Sequence, residues 1–268
     1  MEIITSMGDN PLPTAAILFD FDGTLSTLRY GWERIMQPLM LEMIVGDETP
    51  DGELVEEVAE YIDHSTGIQT IHQMKWLAEM VQIHRPDASM PADPWWYKAE
   101  YNRRLMIPVQ ERISLIESGV KSPDDFLMMG SRAFLEALTK RNIPIYVASG
   151  TDHADVVREA EILDVAKYFT AIAGAPQGQE NCSKEAVLHQ LVTEEALSGG
   201  QLTVIGDGKV EIRLGRELGA RTLGLASDEA AREGINPIKH ERLIAAGAHA
   251  ITGDFLDLGA LLRFCALA

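Results

Sequence analysis

The sequence of 268 residues has few cysteines, few basic residues and no long apolar run, and each shortage excludes a class of protein. Its two cysteines, Cys182 and Cys265, cannot form a disulfide framework or a cysteine-rich zinc site. With 23 basic against 41 acidic residues, the net charge of −18 argues against nucleic acid or an anionic membrane as a partner. No segment has the apolar length of a membrane span, and the N-terminus lacks a signal-peptide pattern.

The remaining composition is that of an ordinary globular protein, with 46% hydrophobic and 24% charged residues. We therefore expect a cytoplasmic protein, a monomer or homodimer, with a sizeable core. Residues 1–14 are expected to be a loose lead-in. The acidic balance does not exclude a phosphorylated substrate, because a metal ion and a few local cations can invert the field within one pocket.

The sequence is organised around an apolar run, Ala15 to Phe19, that leads directly into Asp20 and Asp22. A short apolar run of this kind predicts a buried strand, and residues two apart in a strand point the same way. Gly23 allows the chain to turn after the strand. A calcium loop is excluded, since Thr24 and the residue at position 31 stand where that loop needs other side chains.

The rest of the chain falls into a helical block followed by alternating strands and helices. Helical spacing of apolar residues continues from about 32 to 116, with no convincing strand, and the core helix after it is predicted at 125–140. Strands are predicted at 143–148, 168–173, 202–205, 221–226 and 248–252. This order predicts an α/β fold, a Rossmann-like doubly wound parallel sheet with an inserted all-α cap domain. The core is assigned to 15–28 and 126–268, and the cap to 29–125.

Polar side chains follow several of these strands, at the edge where open α/β sheets bind ligands. They are Asp20 with Asp22, Ser149, Lys184, and Asp207 with Glu211. Each alone is as typical of a turn, a helix cap or a solvated surface as of a site. A dinucleotide fingerprint is excluded because Glu211 stands where its third glycine belongs, and Val147 excludes an α/β-hydrolase nucleophile elbow.

Together these segments resemble the haloacid dehalogenase superfamily of phosphohydrolases with an α-helical (C1-type) cap, in the branch of phosphoglycolate phosphatases and β-phosphoglucomutases. The matching segments are Asp20-Phe21-Asp22-Gly23-Thr24-Leu25, Val147-Ala148-Ser149-Gly150-Thr151, Lys184 and Gly206-Asp207-Gly208-Lys209-Val210-Glu211. Glu211 departs from the family pattern, where an aspartate is commoner.

The resemblance implies Mg²⁺-dependent hydrolysis of a small phosphate monoester, a sugar or small organic phosphate, through an aspartyl-phosphate. Asp20 would be the nucleophile and Asp22 the general acid and base. Phosphate would be held beside Asp20 by Ser149, Lys184 and the backbone at Gly23 and Gly150. The implied metal ligands are Asp20, the Asp22 carbonyl and Asp207, with Glu211 acting through water. Dehalogenases of the superfamily lack an acid/base aspartate at the position of Asp22, which favours a phosphatase.

A phosphomutase on the same fold is the alternative, because it would use the same motif residues. A non-catalytic binding module is disfavoured because every catalytic position is filled, and Lys75 and Lys98 match no phosphonate-cleaving motif. Candidate substrate contacts for the small phosphorylated metabolite are Arg29, Trp32, Thr66 and Gln69. For these residues a helix cap or a core position is an equally good interpretation.

Overall fold

The structure, a computed structural model, describes residues 1–6, 12–87, 89–180, 183–194 and 197–268. The chain divides into two compact units, 1–30 with 113–268, and 31–112. The sequence had assigned 29–125 to the insert. The chain segments on either side of the insert pair with each other in the first unit: Thr27 N–H donates to Phe126 O and Met128 N–H to Leu25 O, each at 2.9 Å.

The first unit is built on one sheet, in which seven strands are described. They are β1 (Glu2–Ile3), β2 (Ala16–Phe19), β3 (Ile145–Asp152), β4 (Ala171–Ala175), β5 (Leu202–Gly206), β6 (Arg221–Leu225) and β7 (Ala250–Thr252). Their order is β1-β7-β6-β5-β2-β3-β4, parallel except for β1. The predicted α/β fold is confirmed. Because β2 lies between β3 and β5, the order of strands reverses there, and such a point is a ligand-binding position in open sheets.

Helices and no strand are described in the second unit. Its helices are α1 (Glu33–Val45), α2 (Gly52–His64), α3 (Thr70–His84) and α4 (Pro94–Glu117), the last continuing into the first unit. Apolar residues at helical spacing are buried, as in α1 with Met36, Leu39 and Met40. Helix α4 is continuous through Pro108. None of the described helices has the length and apolarity that a membrane crossing needs.

Six further helices belong to the first unit, again counting only described residues. They are α5 (Ser131–Thr139), α6 (His153–Ile162), α7 (Ser183–Glu194), α8 (Lys209–Glu217), α9 (Pro237–Ala245) and α10 (Leu258–Phe264). The helix expected from 125 starts only after Gly130, which has a φ of 83° and precedes α5, whereas Pro123–Phe126 forms a separate 3₁₀ helix. A side chain at Gly130 would also collide with the backbone of Phe255, at 2.3 Å.

The N-terminus differs from the expected loose lead-in, because Glu2 and Ile3 pair with Ile251 and Ala250 of β7. A strand of two residues is too short to produce a recognisable alternation in the sequence. Residues 7–11 of the predicted lead-in lie outside the described residues. Helix α9 was not predicted either, although its start has a clear signal: Asn236 accepts the N–H groups of Ile238 and Lys239, and Pro237 follows it.

Three aromatic rings support β2, the strand that carries the first motif. Phe19, Phe134 and Phe255 pack with ring centroids 5.6 to 6.2 Å apart, and each is at most 1% exposed. All four residues of β2 are buried as well. Since this packing fixes the end of β2, it also fixes where the residues after Phe19 begin.

We expect Phe134→Ala to lower the free energy of unfolding by about 3–5 kcal/mol, because it removes a fully buried ring and leaves a cavity. Leu256→Ala is the control: Leu256 is 54% exposed, and its truncation should change stability by less than about 0.5 kcal/mol. Urea unfolding followed by circular dichroism measures both. Equal effects of the two substitutions would contradict the assigned core.

Candidate active site

The predicted site residues of the first unit lie together at the carboxyl edge of the sheet. Asp20 and Asp22 follow β2, Ser149 lies near the end of β3, and Asp207 follows β5. Helix α7 supplies Lys184 in its first turn and α8 supplies Glu211. Strand β3 is longer than predicted, because it continues through Ser149 to its last residue with a shift in its pairing to β4.

The turn after β2 is held by its own backbone. The carbonyl of Phe21 accepts the N–H groups of Leu25 and Ser26, each at 2.9 Å. Gly23 has a φ of 73°, and a Cβ there would lie 2.5 Å from Asp207 Oδ2, so glycine is required. The Gly23 N–H donates to Ser26 O at 2.9 Å. This hydrogen bond stabilises the turn, and the expected role of the Gly23 backbone in holding phosphate stays a prediction.

Lys184 joins two of the carboxylates. Its Nζ lies 3.0 Å from Asp20 Oδ2 and 2.9 Å from Glu211 Oε2, and its side chain is 2% exposed. Burial disfavours the ammonium, but the two carboxylates outweigh it and raise the pKa of Lys184 above its usual range. Burial also raises the pKa of Asp20 well above its usual range, against the opposing effect of Lys184.

Both carboxylate oxygens of Glu211 accept hydrogen bonds from the protein. Its Oε1 accepts the Gly208 N–H at 2.6 Å and its Oε2 accepts Lys184 Nζ. The turn before α8 has room for this because Gly206 lacks a side chain, where a Cβ would lie 2.4 Å from Glu211 Oε1. The extra methylene relative to aspartate lets Glu211 bond back across the turn. Both oxygens therefore serve protein groups, which fits the expected indirect role at a metal.

Asp207 is paired with a lysine that the sequence analysis missed. Lys239 of α9 places Nζ 2.7 Å from Asp207 Oδ2 and 2.6 Å from Glu229 Oε1. The other oxygen, Oδ1, accepts the Thr24 hydroxyl at 3.3 Å. Burial favours the neutral acid, but Lys239 outweighs it and lowers the pKa of Asp207. The start signal of α9, Asn236 and Pro237, would have placed Lys239 in a first turn but not beside Asp207.

Asp22 is held through hydroxyl groups of β3. Its Oδ2 accepts Thr151 Oγ1 at 2.8 Å and Ser149 Oγ at 3.3 Å. Ser149 and Thr151 are two residues apart in β3, so their hydroxyl groups point to the same side of the sheet. Arg29 Nε lies 3.7 Å from the second oxygen, Asp22 Oδ1. Gly150, between the two hydroxyl residues, is part of β3.

The remaining predicted substrate contacts lie in the second unit, apart from Arg29. Thr66 Oγ1 donates to Ile62 O at 3.0 Å, where α2 ends, which is a helix-capping contact. Gln69 precedes α3 and is 1% exposed, and neither atom of its amide has a hydrogen-bond partner in the described chain. Trp32 precedes α1 and is half-buried. Their assignment to a substrate stays a prediction.

The donor atoms of this site suit a hard divalent cation. One carboxylate oxygen each of Asp20, Asp207 and Glu211 lies within 4.8 Å of the others. Oxygen-only ligands are what Mg²⁺ prefers. The three carboxylates are buried with Lys184 and Lys239, so negative charge remains in excess before any substrate arrives. The residues present therefore fit the Mg²⁺ that the sequence motifs imply.

A family model for haloacid dehalogenase-like hydrolases matches residues 14–219, most of the chain. This chain belongs to that family. The match confirms the resemblance drawn from the motifs at Asp20, Ser149, Lys184 and Asp207. A search of curated proteins gives no match.

Solved structures with the same fold cover nearly the whole chain. A β-phosphoglucomutase from Clostridium difficile aligns with a TM-score of 0.65 and 15% identity, over 94% of this chain and 97% of that one. A predicted phosphoglycolate phosphatase from Haemophilus somnus aligns with 0.62 and 15%, over 92% and 97%. A haloacid dehalogenase-like protein from Streptococcus pneumoniae has 21% identity and a TM-score of 0.56, over 93% and 98%. At these identities the similarity establishes the fold.

We expect Lys184→Met to destabilise the protein by about 3–5 kcal/mol at neutral pH, because it leaves two buried carboxylates without their cation. The loss should shrink in mild acid, because burial raises the pKa of Asp20 in the folded state, and this carboxyl becomes protonated, and thus neutral, as the pH falls. Thermal unfolding across pH measures this. The exposed Lys140→Met is the control; a pH-independent loss in Lys184→Met would contradict the buried charge cluster.

Proposed function

We propose that this hydrolase cleaves a small phosphate monoester, with Asp20 as nucleophile and Asp22 as general acid and base. The observation that carries the proposal is the position of Asp20. It is 8% exposed, is paired with Lys184, and shares one carboxylate cluster with Asp207. An aspartate gathered into such a cluster, with a second carboxylate two residues away, suits phosphoryl transfer better than binding alone.

In the first step an Asp20 oxygen attacks phosphorus, and the bond from phosphorus to the leaving oxygen breaks. Asp22, as the acid, gives its proton to that leaving oxygen, so an alcohol departs and an aspartyl-phosphate remains. In the second step Asp22, now a carboxylate, takes a proton from the water that attacks phosphorus. The bond from phosphorus to Asp20 then breaks, which releases inorganic phosphate and restores both carboxyl groups.

The remaining residues would bind the phosphate and the metal ion and compensate their charges. The hydroxyl of Ser149, at the same sheet edge, and the Lys184 ammonium would hold phosphate oxygens. Asp20, Asp207 and the Asp22 carbonyl would hold Mg²⁺, with Glu211 supporting them through Lys184 and the Gly208 N–H. Bound Mg²⁺ would offset the charge that develops on the phosphoryl group.

The substrate class remains a sugar phosphate or a small organic phosphate, selected by residues of the second unit. Gln69, Trp32 and Thr66 stay candidate contacts of that unit, although Thr66 already caps its helix. A phosphomutase would share the first step but return the phosphoryl group to a sugar.

We expect the purified protein to release phosphate, in the presence of Mg²⁺, from members of a panel of sugar, nucleotide and short organic phosphates. Asp20→Asn should abolish release and covalent labelling by the substrate phosphoryl group, because an amide cannot form the acyl phosphate. Asp47→Asn, an exposed aspartate, is the charge-matched control. Labelling of Asp20 without phosphate release would favour the phosphomutase, and release by Asp20→Asn would overturn the nucleophile.

Asp207→Asn tests the metal site separately. It removes the negative charge that the divalent cation would meet while keeping the shape of the side chain. We expect Mg²⁺ affinity, measured by titration calorimetry, to fall by about tenfold or more. Asp254→Asn, a carboxylate outside the cluster, should bind Mg²⁺ as the unmodified protein does. Equal affinities in all three proteins would contradict the assigned ligand.

A further inference from the structure

A buried arginine beside Asp22 has no part in the steps above. Arg29 is 7% exposed, and Glu159 of α6 binds its guanidinium along one edge. Arg29 Nη2 lies 2.6 Å from Glu159 Oε1, and Nε lies 3.0 and 3.2 Å from the two Glu159 oxygens. Asp155, also on α6, lies 3.2 Å from Nη2. These contacts fix the orientation of the guanidinium.

The edge of Arg29 that carries Nε also faces Asp22, at 3.7 Å from Oδ1. This Asp22 oxygen is buried and has no hydrogen-bond partner among the residues that the structure describes. The other oxygen, Oδ2, accepts the Thr151 hydroxyl. A buried carboxylate oxygen without a hydrogen bond is costly, and a cation at this distance compensates part of that cost.

We propose that Arg29, held by Glu159, is a positioning residue that fixes the Asp22 carboxylate for proton transfer. Thr151 holds one oxygen of Asp22 by a hydrogen bond, and Arg29 holds the other by charge. The carboxylate is thereby fixed against rotation in the free protein. The inference rests on the proposed acid and base role of Asp22. Proton transfer depends on such geometry, because small misplacements of a reacting group cost large factors in rate.

This assignment replaces the interpretation of Arg29 as a substrate contact. Its guanidinium already serves two carboxylates, and moving it onto a phosphate would leave Glu159 buried without its cation. Burial raises the pKa of Glu159 to about 7 even with Arg29 in place. Arg29 and Glu159 therefore form a buried ion pair within the first unit of the chain, in which neither residue can be moved without the other.

The test uses a pair of substitutions that removes Arg29 together with Glu159, its most deeply buried partner. Replacing both partners, Arg29→Met with Glu159→Met, is expected to be far less destabilising than removing one of them. Arg29→Lys keeps the positive charge but removes the planar guanidinium that contacts both oxygens of Glu159. Arg221→Met is the control for loss of a buried arginine, since Arg221 lies at the start of β6 and contacts Thr14.

The two probes are p-nitrophenyl phosphate and the best alkyl phosphate of the panel. Nitrophenolate leaves without a proton, whereas an alkoxide needs one from Asp22. We expect the paired variant to lose about tenfold or more in kcat/KM on the alkyl phosphate and little on the aryl phosphate, since general acid catalysis contributes factors of this order. The KM for the alkyl phosphate should change little, and Arg29→Lys should recover part of the loss. Arg221→Met should leave the ratio of the two substrates unchanged.

Equal losses on both probes, or a raised KM with kcat unchanged, would overturn the inference; the second result would return Arg29 to the substrate. A crystal structure of the paired variant gives a readout without turnover, and Asp22 should leave the Thr151 hydroxyl there. An unmoved Asp22 would also overturn the inference. If the unmodified protein shows no release that depends on Asp20, the proposed function fails, and the crystal structure still reports on Arg29.

Discussion

The structure depends above all on how it compensates buried negative charge at one edge of its sheet. Three buried cations serve these acidic groups: Lys184 joins Asp20 to Glu211, Lys239 joins Asp207 to Glu229, and Arg29 lies beside Asp22. Burying one such charge alone costs several kcal/mol, so each cation is a condition for folding as well as for chemistry. Even with this pairing carboxylates remain in excess, and three of them could together hold a divalent cation.

The sheet order explains why residues so distant in sequence meet here. Because β2 is flanked by β3 and β5, the turns after all three strands open on the same side. The aromatic rings of Phe19, Phe134 and Phe255 hold β2 in place, and glycine at position 23 lets the turn approach Asp207. The side chains at this edge of the sheet are therefore positioned by the rigid packing of the core beside β2.

Much of this could be predicted from the sequence, and what could not has physical reasons. Asp20 and Asp22 stand out because a short apolar run precedes them, and the alternation of strands and helices after residue 122 gives the fold. The sequence gives no signal for Lys239 and Glu229, since their pairing beside Asp207 depends on where α9 packs. Arg29 was found, but its pairing with Glu159 was not, because the two residues lie 130 positions apart. Local pattern likewise does not reveal that Ser26 accepts the Gly23 N–H.

The pairing of the chain segments on either side of the insert has a consequence for the insertions that such a protein can tolerate. Leu25 and Thr27 bond to Met128 and Phe126, so the chain leaves the first unit and returns to it at neighbouring points. Closing an inserted loop costs entropy that grows only slowly with its length, provided that its ends are already together. The sheet and its buried charges can thus tolerate inserts of very different size at this one junction, so that residues 31–112 can vary without disturbing the packing of the first unit.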